Sequence, residues 1–277
     1  MKKYSLFFMI LLVVGFNLSA FGHSEYSDHS RREKLGNFES VSIDVPAQTE
    51  LVKGNSRSVD IQMSEKTARN IEVYTERGTL VIKSKGGSWI QRADQIKIKI
   101  TMPYWESLRI TSSGNFNSDD MWKLDHVLIR NSGSCDIALN SIHAKRFECR
   151  ASGSGDINID DLYIDKTNIV TTGSGNLRIG TVKTDSLTVE LTGSGDFSAE
   201  MTTDQFTART TGSGKIIAAG RCDRVDLQTT GSGGIHAEDL SADEAYIRTT
   251  GSGDITLKDG AHLKEIRMTG SGTFRSI

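Results

Sequence analysis

Apolar and polar residues alternate in short runs along most of this chain. In "DITLKDG", Ile255 and Leu257 alternate with polar neighbours ahead of a turn at Asp259–Gly260. Alternation with a period of two over four to six residues is typical of half-buried β-strands. Few segments between turn signals approach helical length, and no proline follows Pro103. The pattern therefore predicts an all-β protein.

A Gly-Ser-Gly triplet separates these runs at nearly constant intervals. Its last position returns every 19 to 21 residues, at Gly114, Cys135, Gly155, Gly175, Gly195, Gly214, Gly233, Gly253 and Gly272. Glycine–serine runs are commonly flexible linkers, but a linker requires neither constant spacing nor patterned segments between the triplets. A fixed period of about 20 residues instead indicates a repeat architecture.

Two repeat architectures fit a unit of this length: one coil of a parallel β-helix, or one antiparallel hairpin of an array. In a β-helix, equivalent residues stack on one another at the strand spacing of about 4.8 Å. Stacking explains both the single strong corner in each unit and the identity of its residues. We therefore predict a parallel β-helix with about 20 residues per coil.

The triplet is interpreted as a tight corner that requires positive φ or close backbone approach, which glycine tolerates best. The structural corner residues are Gly153, Gly155, Gly173, Gly175, Gly193, Gly195, Gly212, Gly214, Gly231, Gly233, Gly251, Gly253, Gly270 and Gly272. Two columns precede the corner. Thr172 and its equivalents are predicted to face outward. The column Thr171, Leu191, Thr210, Thr229, Thr249 and Met268 is predicted to face inward, since it contains leucine and methionine.

The chain divides into four predicted segments. Residues 1–22, with Lys2 and Lys3 before an apolar run, have the pattern of a secretory signal peptide, and 23–37 are polar and predicted to be a disordered linker. Residues 38–110 alternate without the triplet and are predicted to form less regular first coils, and 111–277 form the regular repeat. We expect no membrane span in the mature chain.

Composition narrows the function further. The formal net charge is −2 and no basic run occurs, which argues against a nucleic-acid partner. Three cysteines and six histidines show no metal-ligand spacing, so neither a metal nor another cofactor is expected. Cys135, Cys149 and Cys222 are expected to be buried thiols, with a Cys135–Cys149 disulfide as the alternative.

The sequence resembles the auto-transporter adhesin head domain, also called the GIN domain, of bacterial envelope proteins. The resemblance covers residues 38–277 and rests on "FESVSIDVPAQTELVKG", "GTLVIKSK", "IKIKITMPYWESLRITSSGN" and the repeated "SGSGD". It implies a right-handed parallel β-helix in an exported bacterial protein, located in the periplasm, on the outer surface or in the medium. It implies no defined activity.

A row of acidic and amide residues follows the corner and is the best candidate for chemistry. It contains Asn115, Asp136, Asp156, Asn176, Asp196 and Asp254. Stacked carboxylates suit calcium or a catalytic pair, whereas Asp and Asn also favour turns because they bond their own backbone. Lys215, Gly234 and Thr273 interrupt the row. We therefore favour turn chemistry and predict no catalytic residue.

The long faces of a solenoid suit extended partners, and a glycan ligand usually requires an exposed aromatic platform. Trp89, in "GGSWIQRAD", is the candidate ligand contact, whereas Trp105 and Trp122 are expected to pack at the junction between the two β regions. The histidines lie in different units and registers. An enzyme active site would be expected to interrupt the repeat, which is nearly unbroken.

We therefore predict a non-catalytic, exported binding module for a glycan or a surface protein. The alternatives are a polysaccharide-acting enzyme and a purely structural envelope protein. The strand edge at Phe274–Ile277 is also predicted to pair with a second copy, which would produce an end-to-end homodimer.

Overall fold

The computed structural model describes residues 29–32, 35–87 and 96–277. The predicted signal peptide and the candidate contact Trp89 lie outside these residues. Strands account for 70% of the structure and helices for 3%, and the strands form a parallel β-solenoid of about eight turns with roughly 20 residues per coil. The predicted parallel β-helix is therefore confirmed, and the antiparallel hairpin array is wrong.

Nineteen strands of the described residues join into one sheet that winds around the solenoid. They are β1 (His29–Arg32), β2 (Ser40–Asp44), β3 (Ala47–Lys53), β4 (Ser58–Met63), β5 (Ile71–Glu76), β6 (Thr79–Ser84), β7 (Lys97–Met102), β8 (Ser107–Ile110), β9 (Gly114–Lys123), β10 (His126–Asn131), β11 (Cys135–Ala151), β12 (Ile157–Thr171), β13 (Leu177–Leu191), β14 (Phe197–Thr210), β15 (Ile216–Thr229), β16 (Ile235–Gly251), β17 (Ile255–Leu257), β18 (His262–Gly270) and β19 (Phe274–Ser276). A short helix, α1 (Glu65–Ala68), and a 3₁₀ turn (Lys85–Gly87) complete the secondary structure.

Each regular coil has three sides. The backbone of β12 pairs with the coil before it except at Asp160 and Asp165. At these two points the alternation of buried and exposed residues is interrupted, because two consecutive side chains (160 and 161, then 165 and 166) face away from the core. These two bends and the Gly-Ser-Gly corner divide the coil into side 1 (157–159), side 2 (162–164) and side 3 (167–171). Inward residues form apolar columns, one of which is Ile137, Ile157, Leu177, Phe197, Ile216, Ile235 and Ile255.

The glycine corner is explained mainly by close approach between coils. A Cβ atom added to Gly173 would lie 1.9 Å from the carbonyl oxygen of Gly153, far inside van der Waals contact. Positive φ occurs in the triplets only at Gly114, Gly251 and Gly270 among the described residues. The predicted inward column is buried from Thr171 to Thr249, whereas Met268 is exposed because no described coil covers it.

The first coils are stacked out of sequence order. Strands β2 and β3 form a coil that lies between β6–β7 on one side and β8–β9 on the other. Consequently, the connection from β7 to β8, residues 103–106, passes across the β2–β3 coil. We call residues 103–106 the crossover segment. It is anchored by the Glu106 N–H, which donates to Glu39 O at 2.7 Å, and by the Leu128 N–H, which donates to Glu106 O at 2.9 Å.

Antiparallel strands cover the N-terminal end of the stack. Strand β4 pairs antiparallel with β7, β1 pairs antiparallel with β4, and β5 pairs antiparallel with β6. Residues 29–32 of the segment predicted as a disordered linker thus form β1. At the opposite end, β18 pairs with β16 and presents its other edge unpaired within the described residues. The two ends of the solenoid therefore differ, one covered and one open.

Candidate functional site

The acidic and amide row after the corner forms a hydrogen-bonded ladder between coils. In five of its six members, all except Asn115, the side-chain Oδ1 accepts the backbone N–H of the equivalent residue one coil further on. The pairs are Asp156 N to Asp136 at 2.9 Å, Asn176 N to Asp156 at 2.7 Å, Asp196 N to Asn176 at 3.0 Å, Lys215 N to Asp196 at 2.8 Å and Thr273 N to Asp254 at 2.7 Å. The row thus links successive coils, and its side chains do not bond their own backbone as the turn interpretation expected.

The carboxylates that were candidate metal ligands or catalytic groups are thus hydrogen-bonded to the backbone of the next coil. The Thr273 hydroxyl and backbone N–H both donate to Asp254 and hold the pKa of that carboxyl below its ordinary value. Within the part of the chain that the structure describes, no group of three or more His, Cys, Asp or Glu side chains has the geometry to hold a metal ion. The ladder is therefore best interpreted as a structural feature of the corner.

The three cysteines are free thiols buried in the core. The alternative Cys135–Cys149 disulfide is wrong, since both residues are unpaired. Burial raises the pKa of each thiol to about 12, with smaller contributions from neighbouring carboxylates. A thiol with that pKa is protonated at neutral pH and is a poor nucleophile.

A pocket of about 680 Å³ lies where the crossover segment meets the bend between β9 and β10, which corresponds to the bend between sides 2 and 3 in later coils. We call it the crossover pocket; it is lined by Tyr104, Trp105, Glu106, Lys123, Leu124, Asp125 and His126. Its volume is in the range of small-molecule sites. Because the crossover segment follows from the out-of-order coils, this combination of side chains does not recur with the 20-residue period.

The tryptophans at this junction are buried, as predicted. The rings of Trp105 and Trp122 meet edge to face, with centroids 6.3 Å apart. The Trp122 indole N–H donates to Ser118 Oγ at 2.9 Å. By contrast, the Trp105 Nε1–H is buried and has no acceptor among the described residues. A buried donor without a partner costs about 1–3 kcal/mol.

Other groups fix the rim of the crossover pocket. Tyr104, 41% exposed, donates from its hydroxyl to Glu39 at 2.6 Å, and the Arg57 guanidinium lies 5.0 Å from its ring centroid. Asp125 pairs with Lys145 at 2.7 Å, and the hydrogen bond from Lys145 lowers the pKa of Asp125. The rim therefore combines an aromatic face with ionised groups in fixed positions.

A second acidic column, absent from the sequence-based candidates, lies at the bend between sides 2 and 3. Its members are Asp165, Asp185, Asp204, Asp223 and Asp243. The first four border a groove of about 450 Å³ that also contains Tyr163, Lys183 and Arg221. The spacing of 19 to 20 residues between these aspartates matches the repeat, so this column could have been predicted from the sequence. However, Lys183 and Arg221 lie among the aspartates, so the groove is not a concentrated anionic site for a cation.

The histidines stay apart, as predicted. His143 stacks on Tyr163 with ring centroids 4.5 Å apart. His236 lies five coils further on, 4.0 Å from Glu238. No two described histidines share an ion pair or a ring contact. No catalytic constellation is therefore formed by the histidines of the described residues.

Comparison with known proteins identifies the family. The family described as "Putative auto-transporter adhesin, head GIN domain" matches residues 37–196 and 162–277. The chain belongs to this family. The resemblance seen in the sequence is thus confirmed over nearly the whole described solenoid. The comparison with curated proteins found no match.

Solved structures share the fold of this GIN-domain protein at low sequence identity. A "putative lipid binding protein" from Parabacteroides distasonis has a TM-score of 0.72 and 18% identity, with 90% of this chain and 96% of that chain covered. A "putative adhesin" from Bacteroides fragilis has a TM-score of 0.64 and 15% identity, with 90% and 97% covered. At these identities, the likeness establishes the fold alone.

The family's description as an adhesin head suggests a binding role and an exported or surface location for this GIN domain. Within the described residues, no helix combines the length and the apolar character of a transmembrane span.

Proposed function

We propose that this GIN domain is an exported, non-catalytic module that binds a glycan, and that the crossover pocket is its binding site. The observation that carries the proposal is the crossover pocket itself, a concave site whose aromatic and charged lining the repeat does not reproduce. Specific recognition requires a unique set of groups, whereas the regular faces present similar positions in every coil.

The composition of the crossover pocket suits a saccharide better than a purely apolar ligand. Saccharides combine hydroxyl groups with apolar ring faces, and the pocket combines Tyr104 and Trp105 with Glu106, His126 and Lys123. Aromatic side chains with a polar atom supply both kinds of contact. A lipid, as in the name of the Parabacteroides protein, would favour a deeper apolar cavity. Trp89 remains a second candidate contact.

The alternative functions, an enzyme, a module for a surface protein and a structural protein, each make a different requirement of the chain. A polysaccharide-acting enzyme would require free carboxylates, but Asp156 and Asp196 are engaged in the ladder between coils. A surface-protein ligand or a purely structural role would require no saccharide affinity.

Export is supported by the signal-peptide pattern in residues 1–22. Mass spectrometry of the native protein should show an N-terminus near Phe21 or His23, and an intact Met1 would contradict export.

A glycan array probed with the mature chain tests this proposal. We expect saccharide binding that Tyr104→Ala weakens about tenfold or more, since truncating an aromatic contact at the centre of a site typically costs more than 1 kcal/mol. Tyr246→Ala is the matched control, because Tyr246 lies in β16, six strands along the stack from β10, where the Arg224 guanidinium is 4.1 Å from its ring centroid.

Three outcomes would count against it. Equal losses in Tyr104→Ala and Tyr246→Ala would remove the pocket from the proposal. An absence of any saccharide binding would favour the structural role. Cleavage of a bound polysaccharide that is lost in Asp156→Asn would favour the enzyme.

We also propose that the open end of the solenoid pairs with a second copy. Leu263, Ile266, Met268 and Ile277 are 38%, 47%, 44% and 60% exposed, although the first three continue inward columns. Because antiparallel strands cover the N-terminal end, the pairing would join two C-terminal ends and close as a symmetric dimer. Light scattering should report twice the chain mass, and Ile266→Lys should restore the monomer. A monomeric wild type at high concentration would contradict this pairing.

A further inference from the structure

Arginines stack in three successive coils on side 3, beside the crossover pocket. Arg130 of β10 lies opposite Arg109 of β8 and opposite Arg150 of β11. Neighbouring strands are about 4.8 Å apart, so the three backbone positions span about 10 Å along the solenoid axis. All three residues are exposed. We call Arg109, Arg130 and Arg150 the arginine column.

The same column is neutralised in later coils. There, Arg209 pairs with Glu190 at 3.3 Å, and Arg248 pairs with Asp226 at 3.1 Å and with Glu265 at 2.8 Å. Arg267 also pairs with Glu265. These pairs show that this position of the coil accommodates arginine together with a carboxylate from a neighbouring position.

The arginine column lacks that compensation. Arg150 pairs with Glu148, whereas Arg109 and Arg130 form no ion pair with the carboxylates of the described residues. The nearby Asp44 instead accepts from the Thr111 hydroxyl at 2.6 Å. Like charges that face each other directly across strands are destabilising. Repulsion between the stacked arginines therefore destabilises the column, and the guanidinium groups of Arg109 and Arg130 can bind an external anion.

The arginine column continues the surface of the crossover pocket. Glu106 and His126 line the pocket, and Arg109 and Arg130 follow them by three and four residues, respectively, along β8 and β10. At about 3.3 Å per residue, the pocket and the column are roughly 10–13 Å apart on one face. The hydroxyl-bearing Ser132 and Ser152 lie exposed two residues beyond Arg130 and Arg150. One extended ligand of a few sugar units can contact both regions.

We propose that the glycan is acidic, with sulfate or carboxylate groups bound by Arg109 and Arg130 and a neighbouring sugar ring in the crossover pocket. This inference rests on the proposed function. Guanidinium groups bind such anions through paired hydrogen bonds, which gives both affinity and orientation. The linear column on a flat face fits a chain of repeated anionic units better than a single small anion.

Two other polyanions fit the surface less well. Binding to an anionic membrane supplies only about 1 kcal/mol for each basic residue, and the column offers three. Its face also lacks a cluster of exposed apolar side chains that would enter a membrane. Apart from Tyr104, Met121 and Ile217, the exposed large apolar side chains of the described residues lie in the last coil. Nucleic acid would require a wider basic footprint than the three arginines on a chain of net charge −2 provide.

Dextran sulfate oligosaccharides and unsulfated dextran oligosaccharides of equal length test the inference by calorimetry with the mature chain. We expect the sulfated form to bind at least tenfold more tightly, with an affinity that falls as salt is raised. Arg130→Gln should weaken that binding about tenfold or more. Arg209→Gln is the matched control because it removes an arginine from the same column position, already paired with Glu190, and should change binding less than twofold.

Thermal unfolding supplies a second readout. Arg130→Gln should leave the unfolding midpoint unchanged or raised, since it relieves the stack, so that lost binding cannot be assigned to misfolding. Equal affinity for both dextrans, or equal effects of the two substitutions, would overturn the inference and leave a neutral-glycan function standing. Binding to phosphatidylglycerol vesicles but to neither dextran would overturn it in favour of a membrane. Binding to no glycan at all, on the array included, would overturn the proposed function as well.

Discussion

Replacing Gly173 with alanine should lower the free energy of unfolding by about 3–5 kcal/mol, well above the effect of an ordinary surface substitution. The added Cβ would lie 1.9 Å from the Gly153 carbonyl oxygen and 2.8 Å from the Ser152 carbonyl carbon. Both are backbone atoms, so no side-chain rotation can relieve the contact. The coils would have to separate at that corner.

Separation is costly because the corner is hydrogen-bonded on both sides. The Ser174 N–H donates to Gly153 O at 3.1 Å, and the Ser194 N–H donates to Gly173 O at 3.2 Å. A shift large enough to admit a methyl group would stretch these bonds and disturb the neighbouring ladder. The effect should therefore appear as a lower midpoint in urea unfolding followed by circular dichroism.

Gly36→Ala is the matched control. Its added Cβ would meet only Thr75 side-chain atoms at 4.0 Å, and no positive φ is involved. Alanine there should be neutral or slightly stabilising, since it reduces the conformational freedom of the unfolded chain by about 0.4–1 kcal/mol. If Gly173→Ala matched Gly36→Ala in stability, close packing of the corners would be refuted.

Deletion of one whole coil should leave a folded protein, whereas deletion of half a coil should abolish cooperative folding. Removal of residues 157–176 joins Asp156 to Leu177, and Leu177 then takes the place of Ile157 against Ile137. Every column stays in register, as expected for a solenoid in which each unit contacts its neighbours. Removal of residues 157–166 would instead delete sides 1 and 2 of one coil and break the columns.

Calorimetry separates the two deletions. The whole-coil variant should unfold in one transition, with an enthalpy lower by about 14 kcal/mol, from about 0.7 kcal/mol for each residue removed. The half-coil variant, ten residues longer, should show no cooperative transition. A folded half-coil variant, or an unfolded whole-coil variant, would contradict the in-register stack.

The regular part of the fold could be predicted because each coil repeats the same local signals. The triplet spacing predicts the stack, and leucine among the threonines identifies the inward column that includes Leu191. The out-of-order first coils could not be predicted. Strands β2, β3, β6 and β7 alternate in the same way and carry no triplet, so the sequence contains no signal for which of them are neighbours.

The candidate site depends on that unpredicted step. The crossover pocket exists because residues 103–106 pass across the β2–β3 coil, and Tyr104 therefore reaches Glu39, 65 positions away in sequence. The arginine column required the register of β8, β10 and β11, where the triplet spacing is least regular. The post-corner aspartates were identified from sequence, but their acceptor role toward the next coil became evident only with the coils in place.

Hydrogen–deuterium exchange of the mature chain, with and without a saccharide identified on the array, tests the central claim most directly. We predict slower exchange at residues 104–110 and 123–130, which form the crossover pocket and the strands that lead to the arginine column. The regular coils from β13 to β16 should be unchanged. Protection confined to those regular coils, or no protection by a saccharide that binds, would contradict a glycan site at the crossover.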